Sequence, residues 1–344
     1  MLSHREFRMP TILSRLDSLP KSYYNTHMWA DYLEMRCLLS VDRSLSKSEV
    51  LDQVRITAED LSEGGINDDV EEDTENQTFD GEMEPAEVND KWNVRVNDWF
   101  EHLSYRAGAF STAYPFSLSA TEDVLAVATT LTAEQNLYVF LLLCANLRYC
   151  KSSMPTLTRT FERLSADVLR SCLTDTAEVH IFGTSEIGTG RYTGSLWENI
   201  NSLAKDLGET IHGHITESSL PKPNYDDGGL DIVAWVPLGD ANSHRIVVFG
   251  QCACTLEWDL KQYTATGKKW RQIMPLSAGV SSIVFIPHSL RQTDGSWHDV
   301  TNIATIMMDR LRIMYLLKGK NQKFEASRSK EIVDQAVAQR EDIF

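Results

Sequence analysis

No run of about eighteen apolar residues occurs in this chain of 344 residues, so nothing in it reads as a membrane-spanning helix. The longest apolar patch, LYVFLLLCANL over residues 137–147, is too short for that role and carries Asn146, which makes it a buried helix. The opening MLSHREFRMPTIL lacks the apolar core of a secretory signal, and the expectation is a cytoplasmic protein without a membrane partner. Cysteine is sparse. Cys37, Cys144, Cys150, Cys172, Cys252 and Cys254 stand in scattered apolar contexts. The one close pair, Cys252-x-Cys254, is tighter than zinc spacing and has no second pair downstream. This excludes a structural zinc site and a disulfide framework, and predicts buried thiols in a reducing compartment. The Gly188-Thr189-Gly190 loop lacks the Gly-Lys-Ser/Thr ending of a phosphate loop, which removes the common nucleotide-binding class.

Positive charge is also short: 33 Lys and Arg face 49 Asp and Glu, a net charge of −16. Taken whole, that balance argues against a polyanionic partner. Its distribution reverses the argument. Fourteen acidic residues and no Lys or Arg lie between Glu59 and Asp90, and they account for all but two of the net charges. The remaining chain is nearly balanced, and the acidity belongs to one segment.

The length argues for more than one domain, and composition supplies the boundaries. Residues 1–56 read as a helical N-terminal segment, with Met28, Tyr32, Leu33, Met35 and Leu39 near helical spacing and Ser46 as a cap. Residues 57–90 hold too few large apolar groups to offset the entropy of ordering and read as an acidic disordered linker. Residues 91–176 read as a helical domain, with Trp92, Val96, Trp99, Phe100 and Leu103 as a core stripe and Thr132 capping the apolar patch. Residues 177–320 change period. They give a strand (AEVHIFGTS), a helix capped by Ser195 and Glu198, a strand (TIHGHITE) with His212 and His214 on one face, and then a hairpin. A helix from about Leu256, a buried strand (SSIVFIPHSL) and an apolar helix (VTNIATIMMDRLRIMYLL) complete that domain, and residues 321–344 read as a charged helix or tail.

The hairpin, GGLDIVAWVPLGDANSHRIVVFGQCAC, carries the chemistry. Asp231 opens its first strand and Gln251 closes its second, each polar where a sheet interior expects apolar side chains. Alternation puts Asp231, Val233 and Trp235 on one face and Gln251 with Ala253. Two such oxygens at matching strand ends can flank one divalent cation. Asp226 and Asp227 are alternative carboxylates, although turn formation with Gly228 and Gly229 suits them better. Beyond the hairpin, Lys261, Lys268, Lys269 and Arg271 alternate with Trp258, Tyr263 and Trp270. That pairing suits contacts to a phosphate backbone, and it equally suits an amphipathic face with snorkelling lysines.

Gly229-Leu230-Asp231 and Gln251-Cys252-Ala253 resemble the paired motifs of the PD-(D/E)XK nuclease superfamily, most closely its Mrr-like restriction members. Ala253 stands where that family has its lysine. The likeness covers roughly residues 192–317. It implies an α/β fold, a restriction-endonuclease-like mixed sheet flanked by helices, to which the helical spacing of the preceding segments adds an α-helical N-terminal domain. It implies a metal-dependent DNA endonuclease of the restriction or phage-defence kind, using Mg²⁺ or Mn²⁺, with DNA and other defence proteins as partners and a homo-oligomer left open. Asp231, Gln251 and Glu198 (in Trp197-Glu198-Asn199-Ile200, the positional match to the family's Phe-Glu-x-Leu pattern) become its metal ligands, and Lys261 replaces the missing cation. Lys268, Lys269 and Arg271 are then the DNA contacts. A nuclease-derived fold that binds DNA or a partner without cutting is the alternative, and Ala253 is its main support.

Overall fold

The computed structural model describes residues 12–13, 16, 19–20, 25–63, 85–183, 190–220, 228–320, 324 and 327–341, with backbone alone over 57–63 and 85–89. Asp226, Asp227, Gly188 and Thr189 fall outside the described residues, as does most of the acidic segment, 64–84. The chain divides into two units.

The first unit is formed by Leu131–Arg291 and Ser296–Val337, with residues 1–14. Its centre is a five-stranded mixed sheet: β4 (Glu178–Ile181), β5 (Ile232–Trp235), β6 (Val247–Cys252), β7 (Val280–Phe285) and β8 (Ile306–Met308), in that spatial order. The pairs β4–β5 and β5–β6 are antiparallel, whereas β6–β7 and β7–β8 are parallel. The hairpin register sets Ile232 against Gly250, and β7 sets Val284 beside Gln251. One sheet face carries Val233, Trp235, Val247 and Phe249, packed with Trp270 and with Leu196, Ile200 and Leu203 of α6 (Leu196–Leu207). That helix buries one stripe, Leu196, Ile200, Leu203, Ala204 and Leu207. Ser195 and Glu198 close its capping box, and Gly208 ends it at φ +69°. The apolar patch forms α4 (Ala133–Ala145), capped by Thr132 and Gln135 and buried from Asn136 to Ala145. α5 (Met154–Cys172) packs against β4 and β6.

Sequence reading misplaces several elements here. α4 and α5 belong with the sheet, so the boundary falls at residues 130–131 and not at 176. TIHGHITE forms no strand: a turn at Gly213 and His214 interrupts the alternation, and the two imidazoles stack at 5.6 Å. VTNIATIMMDRLRIMYLL is not one helix. Asp309 accepts a hydrogen bond from the Arg312 amide as an N-cap, dividing the run into β8 and α9 (Arg310–Leu316). The helix expected from Leu256 is two single turns, α7 (Trp258–Lys261) and α8 (Gly267–Trp270), the second capped by Thr266. In the tail, α10 (Arg328–Ala338) is a formed helix that buries Ile332, Val333 and Ala336.

The second unit holds Arg15–Thr130 with residues 292–295 and 338–344. Its helices are α1 (Thr26–Leu39), α2 (Lys47–Glu63) and α3 (Pro85–Phe110). It is not purely helical: β1 (Ser44–Ser46), β2 (Phe116–Leu118) and β3 (Val124–Val127) form an antiparallel sheet ordered β1-β3-β2. The acidic segment is also helical at both ends, since α2 runs to Glu63 and α3 starts at Pro85. Trp29 stacks on Trp99 at 4.0 Å, so the tryptophans serve as core. Arg106, fully buried, lies 2.7 Å from Asp31 and 2.8 Å from Glu34, and the Tyr114 hydroxyl donates to Glu34. Burying one of these charges alone would cost several kcal/mol, on the order estimated for an unpaired interior ion. This favours one register of α1 against α3.

Candidate functional site

The entry into β5 dictates the site's shape. Gly228 and Gly229 have φ values of +57° and +79°, a conformation costly for any residue with a Cβ. Space is equally restrictive. A Cβ on Gly229 would lie 2.7 Å from Thr264 Cβ and 3.1 Å from Lys269 Nζ. The turn therefore brings the chain against the α7–α8 connection and delivers Asp231 to the head of β5.

Asp231 is held by both neighbouring strands. Its amide donates to the Gly250 carbonyl at 3.0 Å, and its carbonyl accepts from Phe182 at 2.8 Å. The side chain is buried, and its Oδ2 accepts two hydrogen bonds of 2.6 Å, from Gln251 Nε2 and from the Cys252 amide. Two donors on one oxygen offset part of the cost of burying a carboxylate. Gln251 is buried too, and its Oε1 accepts from Thr264 Oγ1 at 2.8 Å. Asp231, Gln251 and Thr264 thus form one connected polar group at the ends of β5 and β6.

The lysines sort differently from expectation. Lys261 ends α7, and its carbonyl accepts from the Thr264 hydroxyl at 2.7 Å. Its ammonium joins neither Asp231 nor Gln251, because the chain turns at residues 262–266 instead of continuing as a helix. Lys269 is the lysine that reaches the site: its Nζ donates to the Gly228 carbonyl at 2.6 Å and abuts Gly229. Lys268 and Arg271 are exposed on the same short segment, and the Arg271 carbonyl pairs with His212 at 3.0 Å.

Glu198 is likewise not where the resemblance put it. It is exposed, and its carboxylate accepts from the Ser195 amide at 2.8 Å. That backbone hydrogen bond, with the Ser195 hydroxyl second, holds its carboxyl below the usual range. It is a helix cap, and nothing ties it to Asp231.

A different glutamate lies on the helix that packs against β4 and β6. Glu162 lies on α5, one turn before Ser165, on the side that meets Cys252. The Cys252 thiol is pushed well above its ordinary range by desolvation, then by the Asp231 charge, then by Glu162, while a Ser165 hydrogen bond opposes the rise. Glu162 stands in a local pattern that sequence reading passed over. Phe161-Glu162-Arg163-Leu164 is the Phe-Glu-x-Leu pattern itself, closer than the Trp-Glu-Asn-Ile chosen on α6.

Ala253 is fully buried against Val284, Ile286, Leu290 and Met307, with Trp258 packed on that cluster. The position that would hold the lysine of Gln-x-Lys is therefore filled by apolar contacts.

Comparison with protein-family models, with curated proteins and with solved structures returns no match. No cluster of three or more His, Cys, Asp or Glu suited to a metal ion occurs among the described residues. The donor chemistry nevertheless suits a hard cation of few protein ligands, since Mg²⁺ is commonly held by one or two carboxylates and keeps several waters. A buried Asp231 oxygen beside an amide fits that description. No helix among the described residues is long and apolar enough to cross a membrane.

Proposed function

We propose that this chain is a divalent-metal-dependent DNA endonuclease of the PD-(D/E)XK kind, with Asp231, Gln251 and Glu162 as its metal-binding group. The observation that carries this reading is the 2.6 Å contact between Asp231 and Gln251 at the ends of paired strands. Support comes from the order around it. A helix bearing Phe-Glu-x-Leu leads into β4; the antiparallel β5–β6 pair bears the acid and the amide; β7 returns parallel to β6. Bound Mg²⁺ or Mn²⁺ would polarise a phosphodiester and lower the pKa of a water. The protein's part is positional. Asp231 is fixed by two strands, Gln251 is oriented by Thr264, and Lys269 brings positive charge to the mouth of the site. Lys268 and Arg271 extend that charge toward a nucleic-acid backbone.

Nicking of supercoiled plasmid with Mg²⁺ or Mn²⁺ tests the reading, and the two glutamates make the test specific. Glu162→Gln is expected to lower the rate about a hundredfold, a typical loss for one charged contributor to a catalytic site. Glu198→Gln should cut at the wild-type rate, because Gln at that position closes the same capping box. The opposite ranking would return the acidic role to α6. For the cation, Lys269→Met is expected to slow cleavage about tenfold or more, with Lys261→Met near wild type. Equal rates for both variants would remove Lys269 from the site.

The packing of Ala253 favours a second reading, a nuclease-like fold that binds DNA without cutting. Wild-type protein that binds but never nicks, with either metal, selects it.

A further inference from the structure

The Thr264 hydroxyl has one proton and two acceptors in reach, the Lys261 carbonyl at 2.7 Å and Gln251 Oε1 at 2.8 Å. An alcohol can donate only once but can also accept. Two complete hydrogen-bond patterns therefore exist. With the amide as the structure has it, Thr264 can donate to Gln251 Oε1, and Gln251 Nε2 donates to Asp231 and, at 3.3 Å, to the Cys252 carbonyl. An ionised carboxylate only accepts, so by itself it selects this orientation. In the other pattern the amide is turned over. Thr264 then donates to the Lys261 carbonyl and accepts from Gln251 Nε2. Gln251 Oε1 comes to face Asp231 Oδ2 across a gap now spanned at 2.6 Å. Two oxygen acceptors that close repel unless a cation lies between them.

We propose that Thr264 is a positioning residue whose hydroxyl lets the Gln251 amide turn over when a divalent cation binds Asp231. Gln251 then offers nitrogen to the carboxylate in one state and oxygen to the cation in the other, with no polar atom of the Thr264–Gln251 pair stranded in either. The Lys261 carbonyl tolerates both patterns, because it also accepts from the Thr264 amide at 3.0 Å. The hydroxyl is held for this task by the Gly229 backbone, where a Cβ would fall 3.2 Å from Thr264 Oγ1. A neutral glutamine can thereby serve where a second carboxylate would repel Asp231. This inference rests on the metal-binding reading given above.

The test uses the full chain and Mn²⁺ or Mg²⁺ alone. The Gln251 side-chain amide resonance, assigned by its loss in Gln251→Glu, is followed through a Mg²⁺ titration, and Mn²⁺ affinity is measured by calorimetry. The amide resonance is expected to shift on saturation. Thr264→Val, which keeps the shape and removes the hydroxyl, should bind Mn²⁺ about tenfold more weakly, the equivalent of one net hydrogen bond. Thr264→Ser should restore wild-type affinity. In a Gln251→Glu background, where both side-chain ends are oxygen and no turn is needed, Thr264→Val should cost nothing further. Wild-type affinity in Thr264→Val, with Asp231→Asn still abolishing binding, overturns this inference and leaves the metal reading standing. Wild-type protein that takes up neither ion overturns both.

Discussion

Asp231→Asn is expected to lower metal-dependent cleavage about a thousandfold, the upper range for removing one preorganised electrostatic group, while leaving the fold intact. The side chain keeps its shape, and its remaining oxygen can still accept from the Cys252 amide, as Oδ2 does now at 2.6 Å. Asn and Gln251 can then pair as two amides in either sense. What disappears is the one full negative charge at the centre of the polar group. Stability should hold or rise, because a buried carboxylate carries a desolvation cost that its neutral amide does not. Nicking rates and thermal melting, measured on the same preparation, check both halves. A variant that cuts at the wild-type rate removes Asp231 from the chemistry. One that fails to fold shows its role to be structural.

Ala253→Lys carries the second large effect, on stability. The position belongs to the Gln-x-Lys triplet by sequence, so restoring the lysine looks like repair. The packing says otherwise. Ala253 has no exposed surface, and its neighbours are Val284, Ile286, Leu290 and Met307. A four-carbon stem overfills such a site, at a typical cost of about 1–3 kcal/mol. An ammonium left without a partner there adds about 3–5 kcal/mol, or loses its proton. Urea denaturation should therefore show most of a typical domain's stability gone, and activity should fall with it. A stable variant that nicks faster than wild type would instead show that the cluster opens and that a lysine slot survives beside Gln251.

How far the sequence could be read depended on whether a feature was local. The capping residues Thr132, Ser195 and Glu198, the Gly208 terminus and the β5–β6 hairpin were all legible, because each is decided within a few residues. The pairing of Asp231 with Gln251 was legible for the same reason: alternation across one hairpin puts both side chains on one face. Failures came where a short segment was decided by distant partners. Ile306–Met308 is three apolar residues that would serve a helix equally well, and β7 recruits them as a strand. Ser44–Ser46 and Val124–Val127 form a sheet only because they meet across some eighty residues, a separation no window spans. Glu198 shows a different limit of local reading. Its local pattern fitted both a cap and an acidic ligand, and the structure gives it the hydrogen bonds of a cap. Lys261 was placed by extrapolating one helix. Thr264 and Thr266, hydroxyls that bond backbone groups of that segment, had already signalled the break.

The backbone pinning of Asp231 bears on how the protein breathes. Its amide and carbonyl lie in the ladders to β6 and β4, and its side chain holds the Cys252 amide. Opening this spot means parting the central strands, an event that in most proteins approaches global unfolding and leaves such amides among the slowest to exchange with solvent. The polar group is consequently assembled before any ligand arrives, and a bound ion would spend little of its affinity on ordering the strands. The segment around residues 254–279 is tied to this group by side chains instead, Thr264 to Gln251 and Lys269 to Gly228, and such bonds can exchange partners without parting the strands.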